Sequence, residues 1–281
     1  MVGVSEARWT VVMPVKRLGA AKSRLRGALP GVPHEELALA LAADTLRAVR
    51  ACPAVAGVLV VTDDPRVAEA AGAAGARVAA DPGGGLNAAF RHGAAVAGSR
   101  SAVAGLTADL PALRPADLAA ALRATQGVRG FVADAPGGGT VLLAAPAGAP
   151  LAPQFGPGSA AAHAASGAMP LAGEWPSLRR DVDTPADLAD AAGLGVGPRT
   201  AALLARVAGA VRYGAGMQGT VATYDASTRS GVLLLDDGTE LAFPARAFDA
   251  SGLRLLRLGQ RVRIERDADG EVVRVTLPTM A

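Results

Sequence analysis

Trp9-Thr-Val-Val-Met-Pro-Val-Lys-Arg-Leu-Gly-Ala-Ala-Lys-Ser-Arg-Leu25 runs from an apolar segment into a cationic loop. Residues 9–15 form a short β-branched run with a proline near its end, which predicts a strand buried on both faces. Residues 14–25 then gather Lys16, Lys22 and Arg24 around Gly19 and small alanines. Small residues let backbone amides approach a triphosphate, and the cations neutralise it. The loop is neither a Walker A sequence nor a GxGxxG. A solvated basic loop fits the same residues. The distribution of lysine favours phosphate: of 28 basic residues only Lys16 and Lys22 are lysines, and both fall here.

Outward from this stretch, strands and helices alternate. Helical periods cover residues 34–52, 65–74, 87–97 and 115–125, the second and fourth opened by proline. Strands are expected at 57–62, 76–80, 102–106 and 130–135. Such alternation predicts a mainly parallel sheet covered on both faces, with function at the carboxyl ends of its strands. After Pro136 the pattern changes to a hairpin strand (GGGTVLLAAP), a Gly-rich turn entering a helix (FGPGSAAAHAASG), and a short strand plus helix (SLRRDVDTPADLADA). A last helix spans 198–211. Residues 212–216 read as a linker. Beyond it come strand-like runs with Asp-Gly turns, about right for a five-stranded barrel. The boundary falls near residue 215, giving domains at 1–212 and 217–281.

Composition bounds the rest. Aromatics are only 3% of the chain and hydrophobic residues 51%, so the core is built from Ala, Val and Leu. No apolar run reaches membrane-spanning length, no secretory signal is evident, and Cys52 is alone. A cytoplasmic protein is the expectation.

Four further motifs carry candidate chemistry. In TADLPAL, Asp109 follows a buried strand, where a carboxylate suits a divalent metal on nucleotide phosphates or simply starts a turn. In RRDVDTP, Asp181 and Asp183 project to one side of an extended chain and repel unless a cation sits between them. Asp183 or Thr184 can also cap the following helix. In PGGGLN, Gly85 and Asn87 allow close approach to a base or ribose, or form a surface loop and cap. Thr140 with Gly156 and Ser159 suits a small anion at a helix start, or Ser159 is a cap. His163, one turn on, reads as structural or substrate-facing. Asp64 reads as a cap, while Asp63 is ambiguous.

In this order PVKRLGAAKSRL, VVTDD, GGGLNAA, TADLPAL, GGGTVLLAAP, FGPGSAAAHAASGA and LRRDVDT resemble the phosphoenolpyruvate (or 2-phospho-L-lactate) guanylyltransferases of coenzyme F(420) biosynthesis, over roughly residues 8–205. The resemblance implies a Rossmann-like α/β/α nucleotidyltransferase (GT-A-like) domain. It implies that Lys16, Lys22 and Arg24 hold GTP phosphates and, with Asp109, form the catalytic set. Gly85 and Asn87 would hold the nucleoside. Asp109, Asp181 and Asp183 would bind Mg2+, and Thr140, Gly156 and Ser159 phosphoenolpyruvate. A downstream transferase of the pathway would take the product. The family often has a second threonine where Val141 stands, so a contact there would use the backbone.

The tail from Met217 resembles cold-shock domains, small all-β OB-fold barrels. It keeps Tyr224, Phe243 and Phe248, but Ser230-Gly-Val-Leu-Leu234 lacks the aromatics used to stack bases. Residues 217–281 carry eight Arg against nine Asp and Glu, a balance of 8 − 9 = −1. A docking or stabilising module fits this better than a nucleic-acid-binding regulator. Other nucleotidyltransferases, such as molybdopterin or sugar-nucleotide enzymes, typically show LxGGxSxR character, which PVKRLGAAKSRL lacks.

Overall fold

The apolar run at the start becomes β1 (Trp9–Pro14) in a computed structural model that describes residues 8–214, 217–267 and 270–278. The chain divides into two units between Leu204 and Ala205. After β1 the first unit runs through α1 (His34–Arg50), β2 (Val55–Val61), α2 (Pro65–Ala73), β3 (Arg77–Ala79), α3 (Leu86–Ala97), β4 (Ala102–Leu106), α4 (Pro115–Ala124), β5 (Gly130–Ala133) and β6 (Thr140–Ala145). It continues with α5 (Ser159–Ala165), β7 (Met169–Pro170), α6 (Pro176–Arg179), α7 (Pro185–Leu194) and α8 (Pro198–Gly214), which crosses the division.

The seven strands lie in the order β3-β2-β1-β4-β6-β5-β7. β1 to β4 are mutually parallel, while β6 runs antiparallel to both neighbours. Side chains alternate across the sheet. Val11, Met13, Val58 and Val60 join the core beneath α1, α2 and α4. Val12, Leu59 and Val61 join a second core with Ala89 and Phe90 of α3. Both faces are covered, which is why the strands read as continuous apolar runs rather than as alternation.

Two local readings are corrected. SLRRDVDT contains no strand. Pro176 starts the one-turn α6, and residues 180–182 follow as irregular chain. Proline at the first helical position has its φ preset and no amide to satisfy, so the turn forms at once. The expected linker at 212–216 is helical as far as Gly214, and residues 215 and 216 lie outside the described residues.

The sheet order locates the functional edge. The chain lays strands outward from β1 to β3, then returns to place β4 on the other side of β1. Loops leaving β1 and β4 therefore diverge and open a crevice at their carboxyl ends. The Lys16–Lys22 loop leaves β1 and Asp109 follows β4.

The second unit carries β8 (Met217–Asp225), β9 (Ser230–Leu235), β10 (Glu240–Phe243), α9 (Ala245–Asp249), β11 (Arg261–Arg266) and β12 (Val272–Thr276). They form an all-antiparallel sheet in the order β10-β9-β8-β11-β12. The Asp237-Gly238 turn joins β9 to β10, while the second Asp-Gly turn includes residue 269, outside the described residues. Phe243 and Phe248 are core residues, and Tyr224 packs against both rings. Among the described residues no helix is long and apolar enough to cross a membrane.

Gly93 shows how tightly α3 sits on the sheet. A Cβ there would lie 2.3 Å from Val12 Cγ1 and 3.1 Å from Val61 Cγ2. Val12 is β-branched and wholly buried, so it cannot swing aside. Gly93→Ala is expected to cost about 1–3 kcal/mol, despite alanine's better helix propensity. A denaturant midpoint equal to or above that of the unaltered protein would contradict this packing.

Candidate active site

The loop after β1 is held at apolar points and leaves its cations outward. Leu18 and Leu25 are buried, whereas Lys16 and Arg24 are exposed. The amide of Leu18 donates to Asp64 Oδ2 at 2.9 Å. Asp64 Oδ1 accepts from the amides of Arg66 and Val67, capping α2 as its position before Pro65 predicts. One buried carboxylate thus joins the cap of α2 to the cationic loop. Its burial opposes ionisation, but the three amides and Arg66 outweigh that and hold its pKa below the ordinary value.

On the other side of the crevice, Asp109 is reached by the chain segment around Val182. The amide of Val182 donates to the carbonyl of Asp109 at 3.0 Å, with the Val182 side chain wholly buried. Asp181 and Asp183, flanking it, therefore both face the crevice. Thr184, not Asp183, caps α7, in a capping box with Asp187. Lys22 lies in the left-handed region (φ 52°). Its ammonium pairs with Asp109 and, at 2.5 Å, with Asp183. Burial disfavours the Lys22 charge, yet the two carboxylates prevail and raise its pKa. Asp181 is pushed up to about 7, by burial first and then by the charges of Asp109 and Asp183, with Lys22 pulling the other way.

A cavity of about 680 Å³ brings Lys16, Lys22, Arg24, Asp109, Thr140, Gly156, Ser159, Asp181 and Asp183 together. Gly85 and Asn87 are not on its wall, although Leu86 between them is. Both polar ends of the Asn87 amide are engaged: Nδ2 donates to the carbonyl of Phe155 at 2.9 Å, and Oδ1 accepts from its amide at 2.7 Å. At the start of α5, where a small anion was expected, two backbone amides are already engaged within the chain. The amides of Ser159 and Ala160 donate to the carbonyls of Gly156 and Gly138. The turn itself needs glycine, with φ at 141° for Gly156 and 71° for Gly158.

Two wall residues were not singled out from sequence. Asp134 follows β5 and braces the β5–β6 turn by accepting from the amide of Gly139 at 2.9 Å. Phe155 stacks on Phe90, with ring centroids 4.2 Å apart. His163 is wholly buried, and burial followed by the nearby Arg129 lowers its pKa to about 4. It is a neutral structural residue rather than a base.

The acidic residues fit a cation in their chemistry. Asp109 Oδ1 and Asp134 Oδ1 are buried without a hydrogen-bond partner, and Asp181 is held back from ionising first by burial and then by its acidic neighbours. Such oxygens suit a hard divalent ion. Among the described residues, however, no three His, Cys, Asp or Glu side chains already stand as a ligand group. The Lys22 ammonium lies between Asp109 and Asp183.

Residues 9–166 match a family described as guanylyl transferase CofC like. A relative from Salinispora arenicola named phosphoenolpyruvate guanylyltransferase is 70% identical over 199 residues, 69% of this chain and 92% of the relative. A second of that name, from Geodermatophilus obscurus, is 57% identical over 208 residues, 72% and 96% of the two chains. Among solved structures, a Desulfovibrio desulfuricans protein described as a nucleotide-diphospho-sugar transferase superposes with a TM-score of 0.53 at 18% identity, covering 73% of this chain and 97% of that one. That likeness bears on the fold alone.

The Asp64 junction makes a testable claim. Asp64→Ala removes the acceptor of three backbone amides and is expected to cost about 1–3 kcal/mol. Because the folded pKa is lowered, this contribution is fully present above the unfolded-state value of about 4 and is lost as pH falls through the folded value. The margin between the two proteins in chemical denaturation is therefore expected to be flat near neutrality and to shrink below about pH 4. A margin that grows on acidification would contradict the assignment.

Proposed function

The chain belongs to the CofC-like guanylyl transferase family, and we propose that it transfers GMP from GTP to phosphoenolpyruvate, releasing pyrophosphate, for coenzyme F(420) biosynthesis. The observation that carries this reading is the meeting of phosphate-type cations, carboxylates and the Thr140–Ser159 group on one cavity. In that reading a phosphate oxygen of phosphoenolpyruvate attacks the α-phosphorus of GTP. The bond from that phosphorus to the bridging oxygen breaks, pyrophosphate leaves with the electron pair, and enolpyruvoyl-2-diphospho-5'-guanosine forms. Phospholactate, with the same charges, is the alternative acceptor, and a downstream transferase consumes the product.

The acceptor is already an anion, so neither a covalent nucleophile nor a strong base is required. The barrier lies in bringing two anions together in line. Lys16 and Arg24, exposed on the loop after β1, meet the triphosphate. Thr140, with the Ser159 hydroxyl and the backbone of Gly156 and Gly158, meets the acceptor. The Gly85 loop borders the nucleoside. Asp109, Asp181 and Asp183 would hold magnesium, which would supply positive charge against the phosphates. Lys22, on the same loop as Lys16 and Arg24, adds a further cation facing the triphosphate. The second unit serves stability or docking, since Phe243 and Phe248 are committed to its core and not offered to nucleic acid bases.

Purified protein with GTP, magnesium and phosphoenolpyruvate is expected to release pyrophosphate, to stop with a chelator, and to recover on adding magnesium back. Asp109→Asn is expected to lower turnover at least about a hundredfold while its far-ultraviolet circular dichroism is unchanged. Release that persists in excess chelator, or near-normal turnover by Asp109→Asn, would remove the metal assignment. Absence of release with both phosphoenolpyruvate and phospholactate would sink the reaction itself.

A further inference from the structure

The segment before Gly156 is gripped from two sides by residues that no substrate role requires. Asn87, in the first turn of α3, makes a two-point clasp on the Phe155 backbone. A carbonyl can only accept and an amide N–H can only donate, so both ends of the Asn87 side chain are fixed in orientation. Three residues on, Phe90 stacks beneath the Phe155 ring at 4.2 Å and 20°. Asn87 and Phe90 lie on one helix face, so α3 holds backbone and ring together.

From the other side, His163 of α5 meets the Phe155 ring edge-on, with centroids 5.2 Å apart at 75°. Its Nε2 accepts from the amide of Gln154 at 2.9 Å. An accepting Nε2 in a neutral ring places the proton on Nδ1. The 2.9 Å contact between Nδ1 and Thr140 Oγ1 is then donated by the imidazole. Thr140 Oγ1 is the acceptor in that bond, and its own hydrogen remains to be donated elsewhere. Thr140 and Phe155 both line the cavity.

We propose that Asn87 and His163 are positioning residues of the acceptor half of the site: together they clamp Gln154 and Phe155, and His163 turns Thr140 into a hydrogen-bond donor towards the acceptor's anionic group. The proposal rests on the reaction assigned above for the identity of the acceptor. The grip itself does not depend on it. Clamping matters because Gly156 and Gly158 follow directly, and glycines lose more backbone freedom than other residues when ordered. With residues 154 and 155 fixed, the turn enters the site already shaped. Asn87 acts here through the Phe155 backbone, not through the nucleoside.

The test uses the full chain carrying Asn87→Ala, and separately His163→Phe, which keeps a ring against Phe155 but removes both imidazole bonds. Hydrogen exchange read by mass spectrometry is expected to rise at amides 154–160 in both variants. In steady-state pyrophosphate release, the KM for phosphoenolpyruvate is expected to rise about tenfold or more, while that for GTP stays within about twofold. His163→Asn, whose amide can still donate towards Thr140, is expected to recover part of the loss. A raised KM for GTP or weakened preference for GTP over ATP in Asn87→Ala, with the phosphoenolpyruvate KM unchanged, would overturn the proposal in favour of nucleoside contact. Unchanged exchange at 154–160 would overturn the clamp. If the unaltered protein releases no pyrophosphate, the reaction assignment fails, and the exchange measurement still decides the clamp.

Discussion

Two carboxylates from distant parts of the chain, Asp109 and Asp183, meet on one ammonium, that of Lys22, with Asp181 beside them. Asp109 and the Asp181–Asp183 pair would repel each other at a sheet edge of reduced polarity, and Lys22 offsets that repulsion through its pairs with Asp109 and Asp183. The rest of the unit is arranged so that this meeting occurs. β1 and β4 diverge at the topological switch, Val182 binds the Asp109 carbonyl, and Asp64 ties the Lys22 loop to α2. A cation of the loop after β1 thus offsets part of the negative charge gathered at this edge.

Division of labour across the cavity follows the same topology. Loops leaving β1 and β4, with the segment between α6 and α7, bear most of the charged residues, while the β5–β6 turn, with Asp134, and the start of α5 form the other wall. The second wall contributes mostly backbone and hydroxyl groups, held by aromatic packing among Phe90, Phe155 and His163. The charged half is held by ion pairs, and the other half by backbone hydrogen bonds and ring packing.

Much of this was legible in the sequence because the signals are local. The buried strands are continuous apolar runs, and Asp64-Pro65 and Thr184-Pro185 announce their helices by cap chemistry. The lysine concentration pointed to the loop after β1. What was not legible depends on long-range partners. Asn87 reads as a base or ribose contact, or as a loop and cap residue, and nothing near it in sequence reveals Phe155, 68 positions away. Asp134 lies in a Gly-rich turn like many surface aspartates. The hairpin strand read at GGGTVLLAAP is β6, antiparallel to β5, whereas the two-residue β7 is too short to carry any periodicity. The pairing of Lys22 with Asp109 and Asp183, 87 and 161 positions away, is likewise a property of the assembled site.

The Lys22 ammonium, paired with Asp109 and Asp183, stands where the proposed divalent cation would be held by Asp109, Asp181 and Asp183. The most direct test is a Mn2+ titration without nucleotide, followed by electron paramagnetic resonance, on the unaltered protein and on Lys22→Met. Removing the competing charge is predicted to tighten Mn2+ binding by roughly tenfold or more, which corresponds to about 1.4 kcal/mol, and a further Asp109→Asn change is predicted to abolish the gain. Equal or weaker Mn2+ binding by a folded Lys22→Met protein would contradict the account.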